Sequence, residues 1–187
     1  MQIRTYILLV HLLFGFIPGA DIYAKSTAAQ SATAEKIKAV YIYNFTRFVN
    51  WPEITFSESI PFSICVMGDD LVAKELAPIH NNTKGDFLIK VVNLSIKQPA
   101  RDCHILYVGE SVESQSDEIL KSISGLPILT LSSKSGFISD GGIIGFIQRG
   151  NTIRLEINRQ VARGVQLSIN AKLLEVATRI IDRGAGS

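Results

Sequence analysis

The two cysteines, Cys65 and Cys103, are the side chains whose chemistry the sequence predicts most directly. Each lies within or just before an apolar run that reads as a β-strand. The chain also begins with an export-type leader, and two cysteines in an exported protein favour a disulfide, because export leads to an oxidising compartment. The alternative, two buried thiols in neighbouring strands, stays open at this point.

Catalytic and metal-binding arrangements are not found among the other reactive side chains. His80 and His104 are the only histidines after the leader, and neither has a second ligand at metal-binding spacing apart from Cys103. Asp69 and Asp70 are adjacent, so their carboxylates point apart in an extended segment. Nucleophile-elbow, zinc-helix and phosphate-loop motifs are also missing from the sequence. We therefore predict no enzyme, no metal site and no cofactor.

A β-hairpin is predicted around Gly150-Asn151, which lies between two apolar runs. The two-residue loop fixes a register that gives one nearly all-apolar face and one mixed face. The residues of interest on the mixed face are Ile143, Ile147, Arg154 and Glu156. Either a helix covers the two isoleucines, or this face contacts a partner protein. For Glu156 the simpler alternative is a surface ion pair with Arg154 or Lys134.

Strands and helices alternate along the rest of the chain. A helix is predicted from Thr33, as N-cap, to Trp51, where Pro52 ends it. The other predicted strands span residues 62–67, 87–94, 104–108 and 126–131, with helices over 71–80 and 112–124 and a final helix containing Leu173, Leu174 and Ala177. This pattern predicts a single α/β domain with a mixed parallel and antiparallel sheet flanked by helices.

Residues 1–24 have the features of a secretory signal peptide. Arg4 precedes an apolar run over residues 6–17, and Ala24 is a small residue at the expected cleavage point. Residues 25–32 are predicted to be a flexible lead-in and residues 33–187 the folded domain. The net charge of +2 is too small to indicate a nucleic-acid-binding protein. We expect an exported protein.

Polar loops follow several predicted strands, at the edge where open α/β sheets bind ligands. The candidate crevice residues are Trp51, Asp69, Asp70, Tyr107, Ser132 and Ser133. The two aromatic residues are possible stacking groups for a nucleotide or an aromatic amino acid. Polar residues are also what ordinary loops contain. A periplasmic small-molecule receptor is therefore the alternative function.

Several short blocks occur in a distinctive order along the mature chain. They are Asn44-Phe45, Trp51-Pro52, residues 64–66 closed by Gly68, residues 103–107, 127–130, 141–144 and 155–158, and the Leu173-Leu174 pair. In this order and spacing the chain resembles the YfiR family of bacterial periplasmic proteins, sometimes grouped with HmsC. The resemblance covers essentially the whole mature chain.

The resemblance implies a regulator. Members of that family bind the periplasmic sensor domain of an inner-membrane diguanylate cyclase, which lowers cyclic di-GMP and biofilm formation, and an outer-membrane OmpA-like lipoprotein can draw them away. The family fold is a mixed sheet flanked by helices, commonly as a homodimer. Some relatives carry a second cysteine pair, but this chain has no cysteine after Cys103, so only the Cys65–Cys103 bond carries over. Pairing with a histidine kinase is a further possibility.

Overall fold

The computed structural model describes residues 20–53, 60–84 and 87–182. Most of the predicted signal peptide, residues 1–19, lies outside this range. Within the described residues the helices are α1 (Ala20–Phe48), α2 (Asp70–Leu76), α3 (Ser116–Ser122), α4 (Arg159–Gly164) and α5 (Ala171–Glu175), with 3-10 turns over Ala77–Ile79 and Glu110–Gln115. None of these helices combines the length and the apolar character that crossing a membrane requires.

The strands form one large sheet and one small ladder. They are β1 (Val49–Asn50), β2 (Phe62–Met67), β3 (Thr83–Lys84), β4 (Phe87–Leu94), β5 (Ile105–Val108), β6 (Leu129–Ser132), β7 (Ile144–Arg149), β8 (Thr152–Asn158), β9 (Ser168–Ile169) and β10 (Ala177–Ile181). The large sheet has eight strands in the order β10-β8-β7-β6-β5-β2-β4-β3, and β1 pairs with β9.

The large sheet is mixed, which confirms the predicted fold class. Strands β4, β2, β5, β6 and β7 run parallel to one another. Strand β8 returns antiparallel to β7, and β10 runs parallel to β8. Strand β3 is antiparallel to β4 at the other edge. Helix α2 lies in the connection from β2 to β4 and α3 in that from β5 to β6, loops make the connections from β4 to β5 and from β6 to β7, and the hairpin extends the sheet on one side.

Helices cover both faces of the sheet. On one face α1 buries Ile42 and Phe45, which recur at helical spacing, and the ring of Phe45 lies 6.1 Å from that of Phe146 on β7. Helix α2 joins the same core through Val72 and Leu76. The 3-10 turn Glu110–Gln115 and α3 cover the other face around a second, smaller cluster. The apolar face of the hairpin, which includes Phe146, therefore packs on the side of α1, and the opposite face of the hairpin lies on the other side of the sheet.

Helix α1 begins earlier than the sequence pattern predicts. It starts at Ala20, so residues 25–32, predicted as a flexible lead-in, are helical, and Thr33 is not the N-cap. Alanine is the strongest helix former, and residues 20–34 contain it repeatedly. These small residues suggested a loose segment, but the alanines among them favour a helix.

The end of the chain also differs from the prediction. Helix α5 ends at Glu175, and Ala177 begins strand β10 instead of continuing the helix. The segment 177–181 contains three β-branched residues, Thr178, Ile180 and Ile181, which favour strands. The predicted final helix is therefore wrong in its last turn, and the sheet gains an edge strand beside β8.

Candidate functional site

The hairpin has the predicted register. Phe146 pairs with Leu155 on the apolar face, whereas Ile147 pairs with Arg154 on the mixed face. The backbone turns at Gly150 with a φ of 58°, a conformation that glycine adopts without strain. Strand β6 flanks β7 at residues 144–145 and β10 flanks β8 at residues 155–158, whereas Ile147 and Arg154 pair only with each other at the open end of the hairpin.

A loop covers part of the mixed face. A methyl group in place of the Gly145 hydrogen would lie 3.5 Å from Ile138, so residues of the 133–142 segment pack directly on this strand. Asn158 donates through Nδ2 to the carbonyl oxygen of Ile138 at 2.8 Å. Lys134 fixes the same segment by donating to Asp140 at 2.9 Å, and this hydrogen bond raises the pKa of the lysine.

Ile143 lies beneath this cover. Its side chain is 1% exposed, and a small cavity beside it is lined by residues of α3 and α4. Its backbone N–H donates to Thr130 Oγ1 at 3.0 Å. We expected Ile143 to contact a partner directly, but helices and the 133–142 segment enclose its side chain. In this conformation Ile143 therefore supports the surface from below.

The remaining three residues lie where the mixed face is open. Ile147 is half-buried and Arg154 is exposed. Glu156 is 21% exposed at its side chain, and Oε2 lies 3.7 Å from Arg179 Nη1 on β10. The ion-pair partner is thus neither Arg154 nor Lys134. Strand β10, which the sequence pattern did not predict, places Arg179 directly beside Glu156.

Most of the predicted crevice residues follow strands at the carboxyl edge of the parallel sheet. Asp69 comes after β2, and its Oδ1 accepts hydrogen bonds from the backbone of Leu71 and Val72 as the N-cap of α2. Ser132 Oγ donates to the carbonyl oxygen of Val108 at 2.8 Å. The Asp69 carboxylate thus caps a helix, and the Ser132 hydroxyl bonds to the neighbouring strand. Asp70 is the first residue of α2.

The loops after β2 and β5 meet at this edge, where the strand order reverses. Gly109 N–H donates to the carbonyl oxygen of Met67 at 2.8 Å. Ser111 Oγ donates to the carbonyl oxygen of Gly68 at 2.7 Å. A methyl group on Gly109 would overlap Asp69, so the two loops are in direct contact. Ligands commonly bind at the point where the strand order of an open α/β sheet reverses. Here the two loops at that point pack directly against each other.

Tyr107 is a buried phenol near the same edge. It is 1% exposed, and its hydroxyl lies 3.2 Å from Ser133 Oγ. Burial raises its pKa, and the charges of Asp69, Glu35 and Glu110 act in the same direction, while the hydrogen bond to Ser133 opposes them. Tyr107 is therefore a neutral hydrogen-bonding group at physiological pH.

Trp51 lies at the opposite edge of the sheet. Its Nε1 donates to the carbonyl oxygen of His104, the residue before β5, at 3.1 Å. Its ring packs edge-on against Phe62 with 5.0 Å between centroids. His104 Nδ1 in turn accepts the Ser63 backbone N–H at 3.1 Å. The structure therefore separates Trp51 from the other five predicted crevice residues.

The predicted disulfide is present. Cys65 of β2 is bonded to Cys103, with 5.8 Å between Cα atoms. Both residues are buried in the smaller hydrophobic cluster. The bond joins β2 to the residues just before the neighbouring strand β5. In the part of the chain that the structure describes, histidine, cysteine and carboxylate side chains form no group able to hold a metal ion.

Arg179 and the 133–142 segment were missed as parts of this surface. Arg179 follows the predicted final helix, in a segment for which no strand was predicted, so its pairing with Glu156 could not be anticipated. Phe137-Ile138 is an apolar pair inside an otherwise polar loop, and this was the available signal that the loop packs on the sheet. Both residues are buried.

The chain is similar to one described protein family. A family model described as YfiR/HmsC-like matches residues 35–178. A crystal structure of a conserved domain protein from Vibrio cholerae O1 biovar El Tor strain N16961 is 14% identical, with a TM-score of 0.47. That alignment covers 63% of this chain and 54% of the other, so this chain spans about half of that one. None of the curated proteins matches the chain.

Proposed function

Because the chain belongs to the YfiR/HmsC-like family, we propose that it is a periplasmic negative regulator of an inner-membrane diguanylate cyclase. It binds the periplasmic sensor domain of the cyclase and so lowers cyclic di-GMP and biofilm formation. The family match over residues 35–178 is the observation that carries this proposal, because it spans the strands that hold the hairpin and the disulfide.

The open part of the mixed face is the proposed contact surface. Ile147, Arg154 and Glu156 lie on a hydrogen-bonded hairpin whose base is flanked by β6 and β10, so the backbone that presents them is already ordered before binding. Ile143 supports them from the core. Protein interfaces commonly have an apolar core and a polar rim and are enriched in arginine, and Ile147 with Arg154 offers both components.

Repression needs only a difference in affinity between two states of the cyclase. A regulator that binds the inactive state more tightly shifts the population toward it. Moving an equilibrium from about 1:99 to about 99:1 requires a preference of about 10⁴-fold. No chemical step is needed.

The proposal includes export and assembly. The leader over residues 1–24 directs the chain to the periplasm, where the Cys65–Cys103 bond is stable. The regulator forms a homodimer, and an OmpA-like outer-membrane lipoprotein draws it away from the cyclase.

Deletion and complementation test the proposal. Removing the gene should raise cyclic di-GMP, and the exported wild-type chain should restore the lower level. Glu156→Lys should fail to restore it while the melting temperature stays nearly unchanged, because the ion pair with Arg179 is a surface pair worth less than about 1 kcal/mol. Unchanged cyclic di-GMP after deletion would refute the proposal. Loss of fold together with repression would make Glu156 a structural residue.

A further inference from the structure

Three arginines share the open mixed face. Arg149 and Arg154 lie on the same side of the hairpin as Glu156, because alternate positions of a strand point the same way. Arg179 of β10 pairs with Glu156 in the neighbouring ladder and adds a third positive charge. We call Arg149, Arg154 and Arg179 the arginine face.

The positive charges of this face are not balanced within the domain. Among the described residues, Arg149 and Arg154 form no ion pair. Arg179 lies 3.7 Å from one carboxylate, that of Glu156, and also donates to the neutral hydroxyl of Ser139 at 3.3 Å. Two nearby carboxylates are committed elsewhere. Asp140 pairs with Lys134 at 2.9 Å, and Asp182 pairs with Arg159 and Arg163. Three arginines therefore face solvent with one carboxylate among them.

Arginine is suited to recognising carboxylates at an interface. Its planar guanidinium donates two parallel hydrogen bonds to one carboxylate and loses less hydration energy than lysine on burial. Ile147 stands half-buried opposite Arg154 and offers an apolar contact beside the charges. The net charge of the whole chain is only +2, so a positive excess of this size is a property of one surface.

We propose that the arginine face binds an acidic segment of the cyclase's periplasmic domain, with an apolar side chain of that segment packed on Ile147. This inference rests on the proposed function and adds the chemistry of the partner. Glu156 is then a positioning residue. It holds Arg179 beside the hairpin and lowers the repulsion between the arginines, and a lysine in its place would repel Arg179 and displace it.

The test measures co-sedimentation of the purified mature chain with inner-membrane vesicles that contain the full-length cyclase. The double variant Arg154→Glu/Arg179→Glu should reduce the bound fraction about tenfold or more, since like charges then face each other. Arg154→Lys/Arg179→Lys should retain most binding. Arg101→Glu is the matched control, because Arg101 is exposed but precedes β5 at the opposite edge of the sheet, and it should bind as wild type does.

Salt dependence supplies a second readout that does not depend on charge reversal. Raising NaCl from about 50 to about 500 mM should weaken wild-type binding several-fold and weaken Arg154→Gln/Arg179→Gln much less, because salt screens exposed charges. Glu156→Gln should keep more binding than Glu156→Lys. Circular dichroism melting verifies that each variant is folded. If Arg154→Glu/Arg179→Glu does not fold, Arg154→Gln/Arg179→Gln and Arg154→Lys/Arg179→Lys decide the question.

The possible outcomes separate the two proposals. If Arg154→Glu/Arg179→Glu binds as wild type does, or if wild-type binding is insensitive to salt, the acidic-segment inference is overturned and the proposed regulator stands. Absence of wild-type binding at either salt concentration overturns both. Equal binding to cyclase-free vesicles containing about 30% phosphatidylglycerol would assign the arginine face to the lipid surface and overturn the inference as well.

Discussion

Asn158 Nδ2 donates a hydrogen bond of 2.8 Å to the carbonyl oxygen of Ile138, and this bond attaches the 133–142 segment to the end of β8. Asn158 Oδ1 also accepts the Val161 backbone N–H at 3.0 Å as the N-cap of α4. One buried amide therefore connects the hairpin, the loop that covers part of its mixed face, and the helix that follows it.

Asn158→Ala should lower the free energy of unfolding by about 2 to 3 kcal/mol, because it removes an N-cap and leaves a buried carbonyl without its donor. Denaturant unfolding measures the loss. Asn170→Ala is the control. Asn170 caps the short, exposed α5, so we expect about 1 kcal/mol or less. Equal losses for the two variants would contradict a joining role for Asn158.

Reduction of the Cys65–Cys103 disulfide should lower the free energy of unfolding by about 4 kcal/mol, since the bond closes a loop with a sequence separation of 38. Chemical denaturation with and without reductant measures the difference. Mass measurement after alkylation should find no free thiol before reduction and two afterwards. Two free thiols in the exported, unreduced chain would disprove the bond.

The buried Tyr107 should make the folded domain less stable at high pH. Burial raises the pKa of Tyr107 above the value of about 10 of an unfolded tyrosine, so above that pH the folded state keeps a proton that the unfolded state has released. The unfolded state then binds fewer protons, and the free energy of unfolding falls as pH rises. Tyr107→Phe should make this fall shallower between about pH 10 and 11.5. If the pKa of Tyr107 were that of an unfolded tyrosine, the free energies of unfolding of wild type and Tyr107→Phe would change with pH in parallel.

Gly142→Ala should destabilise the domain by about 1 to 3 kcal/mol, because the added methyl group overlaps the buried ring of Phe137. Gly164→Ala is a matched control at the end of α4, where the new methyl group meets no atom within 4 Å. There alanine should be neutral or stabilising, as in other helices. Thermal unfolding of both variants tests the contact, and a neutral Gly142→Ala would contradict the packing of Phe137 on Gly142.

The hairpin was predictable because its determinants are local. The two-residue Gly150-Asn151 loop fixes the pairing, and strand alternation then assigns Ile147 and Arg154 to one face. The cap of α2 is equally local, since Asp69 accepts the N–H groups of residues two and three positions further along the chain. In each case the deciding contacts lie within a few residues of chain.

The formation of strand β10 and the position of Trp51, at the edge of the sheet where β5 begins, depend on contacts between residues distant in the sequence. The β-branched residues of 177–181 favour a strand, but the segment becomes part of the sheet only by pairing with β8, about twenty residues away. Trp51 is fixed by the carbonyl oxygen of His104, far along the chain. Sequence alone could propose Trp51 and Asp69 for one crevice but could not place them at opposite edges.

The most direct test of the central claim, that the open mixed face of the hairpin docks onto a diguanylate cyclase, is site-specific photocrosslinking in intact cells. A photoreactive amino acid at position 147 should yield an adduct that contains the tagged cyclase. The same amino acid at exposed Lys97, just beyond β4 and four strands from β7, should not. A cyclase adduct from position 97 together with none from position 147 would contradict the account.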